Sequence, residues 1–132
     1  MPPVEDSAAF PAREHLKSSI AIKEVLDADE NVFAYPIKCY YRIAPPMQDT
    51  NLQFAVMVPK KRFPHAVDRN RLKRLLRECY RHGKSGIAVP SGQTLQLCWI
   101  LVAGEMPTYD ALQKASLAIF DKLSHLLASQ ES

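Results

Sequence analysis

One α+β domain is the fold this chain predicts, and three observations predict it. Its 132 residues suffice for a single core. Apolar residues recur at helical spacing near the start, after the middle and at the end, with strand-like alternation between. No apolar run is long enough to span a bilayer. The predicted arrangement is a single domain of order αβββαβα.

Three prolines and two acids in Met1–Arg13 predict a flexible N-terminal arm over residues 1–13, ahead of a domain at residues 14–132. Met1–Pro11 has acids and no hydrophobic stretch, so it reads as no signal peptide. Ser18 or Ser19 can cap a short first helix, in which Ile22, Val25 and Leu26 share a face. An acidic turn follows, Asp27 to Asn31. Phe33 to Ile43 then alternates: Ile37, Cys39, Tyr41 and Ile43 point one way, and Lys38, Tyr40 and Arg42 the other. Pro45 to Thr50 is a turn. Leu52–Val58 is the next strand, ended by Pro59, which has no N–H for a ladder. The Phe33–Ile43 region and Leu52–Val58 are expected to supply the antiparallel part of one sheet.

The second helix follows Asp68, a candidate cap, with Leu72, Leu75, Leu76 and Cys79 as its apolar stripe. Gly83 is expected to end it in a left-handed conformation. Thr94–Val102 reads as a central strand, apolar on both faces from Leu97 and placing Trp99 in the core. Thr108 caps a last helix whose stripe is Leu112, Ala115 or Ser116, Ile119, Leu123 and Leu126. Cys39, Cys79 and Cys98 are odd in number, lack close pairing and sit in apolar patterns, so buried free thiols in a reducing cytoplasm are expected.

Charge is where the sequence becomes informative about function. Gln53–Lys84 holds ten Lys and Arg against two acids, while the rest of the chain is acidic and the whole carries only +3. At about 100° per residue, Asn70, Lys73, Arg74, Arg77 and Arg81 fall opposite the apolar stripe. Exposed helices usually mix Glu with Lys; here only Glu78 can offset a cation, toward Arg74. A face of one sign needs a polyanion, and nucleic acid is the expected partner. Lys38, Tyr40 and Arg42 place a ring between two cations. That suits stacking a base between neutralised phosphates, and it suits an ordinary half-exposed strand equally well.

Catalytic signals are missing. His15, His65, His82 and His125 are scattered, no carboxylate cluster accompanies them, and no Gly-rich phosphate loop occurs. No catalytic residue and no protein-bound metal are assigned.

Lys60-Lys61, Ala66-Val67 and Arg69-Asn70-Arg71-x-Lys73-Arg74-x-x-Arg77-Glu78 resemble the signature of the bacterial ribonuclease P protein subunit. The resemblance implies a ribosomal-protein-S5-like sandwich with the basic motif in a left-handed βαβ crossover. It implies that catalytic RNA with its magnesium ions cleaves precursor tRNA. The protein would be a monomeric cytoplasmic subunit that binds this RNA through Lys60, Lys61, Arg69, Asn70, Arg71, Lys73, Arg74, Arg77 and Arg81. Tyr40 stands near an aromatic of the family's cleft for the 5′ leader, and Ile22 and Leu26 align with other positions of that cleft; Lys38 and Arg42, which flank Tyr40 on its strand face, are taken as leader-binding with it. Ile22 and Leu26 stand where rings are common, and serve equally well as core. Phe63-Pro64-His65 lengthens the loop, which leaves the placement of Arg62 and His65 open. Gln93 and Ala103-Gly104 depart from the family's acid and base, so no contact is carried over there.

Two other classes fit parts of the pattern. A structural ribosomal or assembly protein would bind RNA without aiding leader cleavage. A DNA-binding regulator would need a helix before the basic helix at helix-turn-helix spacing, or a dimer.

Overall fold

The computed structural model describes residues 11–47 and 50–131. Most of the expected arm, Phe10 included, and two residues of the turn before the third strand lie outside the described residues. The elements are α1 (Ser19–Asp27), β1 (Asn31–Ala34), β2 (Ile37–Ala44), β3 (Leu52–Met57), α2 (Ala66–Gly83), β4 (Thr94–Leu101) and α3 (Tyr109–Glu131), with single 3₁₀ turns at Ala12–Glu14 and Lys84–Gly86. This is the expected order of helices and strands. The Phe33–Ile43 alternation is broken at Tyr35-Pro36 into a β1–β2 hairpin.

The four strands are ordered β1-β2-β4-β3. β1 with β2 and β2 with β4 are antiparallel, whereas β3 pairs with β4 in parallel. That corrects the expectation that Leu52–Val58 belongs to the antiparallel part. Parallel neighbours need a crossover, and the segment between β3 and β4 carries α2 to provide it. β4 is central and buried on both sides, as its apolar composition requires.

Alternation then sorts the side chains. Leu95, Leu97, Trp99 and Leu101 of β4 join Ile37, Cys39, Tyr41 and Phe54 on the face covered by α2 and α3. The opposite face carries Cys98, Tyr40, Ala55 and Ile100, covered in part by α1 through Val25, Ile22 and Leu26. Ser18 caps α1, accepting from the Ala21 N–H at 3.3 Å. Thr108 caps α3 in the same way at 3.1 Å. Phe54 stacks on Tyr80 with centroids 3.9 Å apart, and Trp99 meets Phe54 edge-on at 4.9 Å.

Several local expectations change. The first turn of α2 closes with Arg69 N–H on the His65 carbonyl, so His65 is the cap and Asp68 lies inside the first turn. The Asp68 charge still suits the positive helix end. Gly83 has φ −103°, not a left-handed value. Glycine is needed there because a Cβ would sit 2.4 Å from Phe120 Cε2. Leu75 is only half-buried, and Tyr80 takes the buried place beyond Cys79. On α3, Leu127 is buried and Leu126 exposed, because helical drift turns the later residue inward.

All three cysteines are free and buried. Burial pushes the Cys79 and Cys98 thiols up to about 11, and raises Cys39 further still. Alkylation at pH 8 is therefore expected to be negligible until denaturant is added. Rapid labelling of any one thiol in the native protein would contradict this packing.

Candidate nucleic-acid interface

α2 is the platform. Leu72, Leu76, Cys79 and Tyr80 anchor it in the core, and its other side faces solvent. Arg71, Arg74, Arg77 and Asn70 are exposed, while Lys73 and Arg81 are half-buried. Among the described residues, no carboxylate pairs with Lys60, Lys61, Arg62, Arg71, Lys73, Arg74 or Arg77. Glu78 does not reach Arg74. It sits 3.4 Å from Arg81 and 3.5 Å from His82 Nε2, so Arg81 is partly neutralised within the helix.

The loop before α2 is held to the helix. Phe63 is buried as a plug, and its N–H bonds to the Pro59 carbonyl at 3.1 Å. Arg69 Nη1 donates to the Phe63 and Pro64 carbonyls at 2.9 and 2.8 Å. Arg69 thus spends donors on positioning the loop, a use that its place in the basic motif did not show. The loop's Lys60, Lys61 and Arg62 stand exposed at the end of β3.

The second face of the sheet carries the other predicted residues. Lys38 Nζ lies 5.0 Å from the Tyr40 ring centroid, and hydrogen bonding to Tyr40 raises the Lys38 pKa. Tyr40 is half-buried against the α1 cluster. Arg42 is engaged on two sides, by Glu24 at 3.4 Å and by Gln96 Oε1 at 3.1 Å. Ile22 and Leu26 pack toward this cluster, so core packing is one of their roles.

Folding joins two regions that look separate in the chain. Arg77 of α2, Ile22 of α1, Ala55 and Val56 of β3, and Lys17 border one groove of about 160 Å³ beside the edge strand β3. A strap runs along that edge, with His15 bridged to Phe54 and Leu16 N–H bonded to the Phe54 carbonyl at 3.0 Å. Lys17 was not singled out in the sequence; it lies in no periodic pattern, and only the strap brings it to Arg77.

A strand and a loop, with no helix, precede α2, so helix-turn-helix docking has no first helix here. The cationic helix and its loop present unpaired positive charge, and the groove at the β3 edge joins Arg77 to the α1 side. A family model for Ribonuclease P matches residues 10–124. The chain belongs to the ribonuclease P protein family. A ribonuclease P protein component of Porphyromonas gingivalis is 30% identical over 97 residues, covering 71% of each chain. One from Chlorobium phaeobacteroides is 38% identical over 73 residues, covering 48% of this chain and 50% of its own. The fold matches the RNase P protein of Staphylococcus aureus with TM-score 0.65 at 20% identity, over 86% of this chain and 97% of that one. The Thermotoga maritima protein gives 0.51 at 19% identity, over 82% and 89%. Membership in the ribonuclease P family implies a part in an endoribonuclease complex and in tRNA processing.

Proposed function

We propose that this chain is the protein subunit of ribonuclease P, and that it binds the catalytic RNA through α2 and its preceding loop while holding the 5′ leader of precursor tRNA across the α1 side of the sheet. The observation that carries this is the row of cations on α2 and its loop without a carboxylate partner among the described residues. Such a face is stable only if something anionic or solvent screens it, and a phosphate backbone does so in register with a rigid helix. Lys60, Lys61, Arg71, Lys73, Arg74 and Arg77 neutralise phosphates; Arg69 shapes the loop; Asn70 adds a neutral hydrogen-bonding group. Tyr40 with Lys38 offers a ring beside a charge for the leader.

No three of His, Cys, Asp and Glu among the described residues are placed to share a metal ion. In this proposal the magnesium ions and the cleavage step belong to the RNA. The protein's contribution is charge neutralisation and grip on the substrate. No described helix is long and apolar enough to cross a membrane, and the free thiols fit a reducing cytoplasm, where the proposed subunit works as a monomer.

Reconstitution tests the proposal. Protein alone is expected to leave precursor tRNA intact. Protein with its catalytic RNA is expected to cleave at lower magnesium than RNA alone, with log affinity falling by about 0.7–0.9 per neutralised phosphate as log salt rises. Binding of the RNA without any gain in leader cleavage would favour an assembly protein instead. Cleavage by protein free of RNA would refute the reading.

A further inference from the structure

Arg42, Gln96 and Gln53 lie in register across β2, β4 and β3 on the α1 side of the sheet. Arginine has donors only. Arg42 Nη1 donates to Gln96 Oε1 at 3.1 Å, which turns the Gln96 nitrogen the other way. Gln96 Nε2 then donates to Gln53 Oε1 at 3.0 Å. Gln96 is buried, 2% exposed, so water cannot easily take over either bond. Glu24 holds Arg42 from α1 at 3.4 Å. The chain of bonds therefore has one direction, imposed by the arginine. Its last member, half-buried on the edge strand, has its oxygen occupied and its nitrogen outward. Among the described residues no acceptor meets Gln53 Nε2.

We infer that Gln53 is a fixed hydrogen-bond donor that selects acceptor atoms on the precursor tRNA leader, with Gln96 and Arg42 as its positioning residues. This rests on the proposed leader face. A glutamine free to rotate can meet donors or acceptors alike. Gln53 cannot turn without placing its N–H groups against those of Gln96. Its Nε2 therefore donates to a carbonyl oxygen such as uracil O4, and turns away the amino group of cytosine. Arg42, whose sequence position suggested a direct leader contact, acts here through two amides.

The test uses the reconstituted holoenzyme and precursor tRNAs with uridine or cytidine at each leader position in turn. Wild type is expected to favour uridine at one position by about five- to tenfold, the range of one hydrogen bond. Gln53→Met should abolish that preference while binding of mature tRNA is unchanged. Gln96→Glu is the sharper variant. The introduced carboxylate still accepts from Arg42 but cannot donate, so Gln53 must turn its nitrogen inward and its oxygen outward. The preference should then reverse toward cytidine. Melting curves identify variants that fail to fold, and Gln53→Met, at a half-exposed position, keeps the test open if Gln96→Glu does not fold. A wild-type holoenzyme with no uridine preference anywhere, or one that Gln53→Met leaves intact, overturns the inference. If leader-bearing and mature tRNA bind alike while Arg77→Ala still weakens RNA binding, the leader reading itself has failed. If leader-bearing tRNA binds better and Gln53 variants match wild type, only the donor inference has.

Discussion

Glu14→Ala is expected to destabilise the protein by about 3–5 kcal/mol, the cost of breaking a buried ion pair from one side. Glu14 and Lys84 are nearly buried, with side chains 11% and 10% exposed. Lys84 Nζ donates to both carboxylate oxygens at 2.9 and 2.8 Å, and the Tyr80 hydroxyl donates to Oε1 at 2.7 Å. Removing the carboxylate takes from the ammonium and the hydroxyl their shared acceptor in a place of low dielectric. Replacing both ends, Glu14→Leu with Lys84→Met, should recover most of the loss, because no charge is then stranded. Thermal or urea unfolding of the three proteins decides it; Glu14→Ala melting with wild type would show that the pair carries no stability.

The same cluster sets an alkaline limit. Burial, and then Glu14, hold the Tyr80 pKa far above the ordinary tyrosine value of 10.0. The folded state therefore resists a deprotonation that the unfolded chain undergoes freely. This contribution is complete below about pH 10 and is lost as pH rises beyond it. The clasp also matters to the interface, since it anchors the strap that brings Lys17 to Arg77.

The second large effect separates the two faces of α2. Leu76→Ala should cost about 2–5 kcal/mol, since Leu76 is fully buried between the sheet and α3. Leu75→Ala should cost less, because Leu75 is half-buried. Arg74→Ala and Arg77→Ala should melt with wild type and weaken RNA binding, each lowering the salt slope by nearly one. Arg69→Ala belongs to neither group: it releases the Phe63 and Pro64 carbonyls and should loosen the loop as well as remove a charge. Unfolding by Arg77→Ala with RNA affinity intact would mean that the faces are assigned the wrong way round.

Much of this was legible in the chain. The basic face of α2, the alternation of β2, the buried β4 and the caps at Ser18 and Thr108 follow from spacing and residue type. Those signals are local, and the structure reproduces them within a residue or two. Misplaced details cluster at element ends. Asp68 resembled a cap, but the helix started earlier at His65; Leu126 fitted the stripe as well as Leu127 until drift along a long helix chose between them.

Sequence by itself determined that a helix with one apolar and one cationic side follows a strand, and that the charge on it has no local answer. It determined this because side-chain direction along one element depends only on backbone period. Tertiary structure alone decided that β3 lies parallel beside β4, that Gly83 is needed because Phe120 packs against it, and that Glu14 meets Lys84 seventy positions away. It alone gave Arg42 to Gln96 and Glu24 and thereby aimed Gln53 outward. Such contacts are set by which faces bury together when loops close, and residues far apart in the chain leave no period by which their meeting could be read.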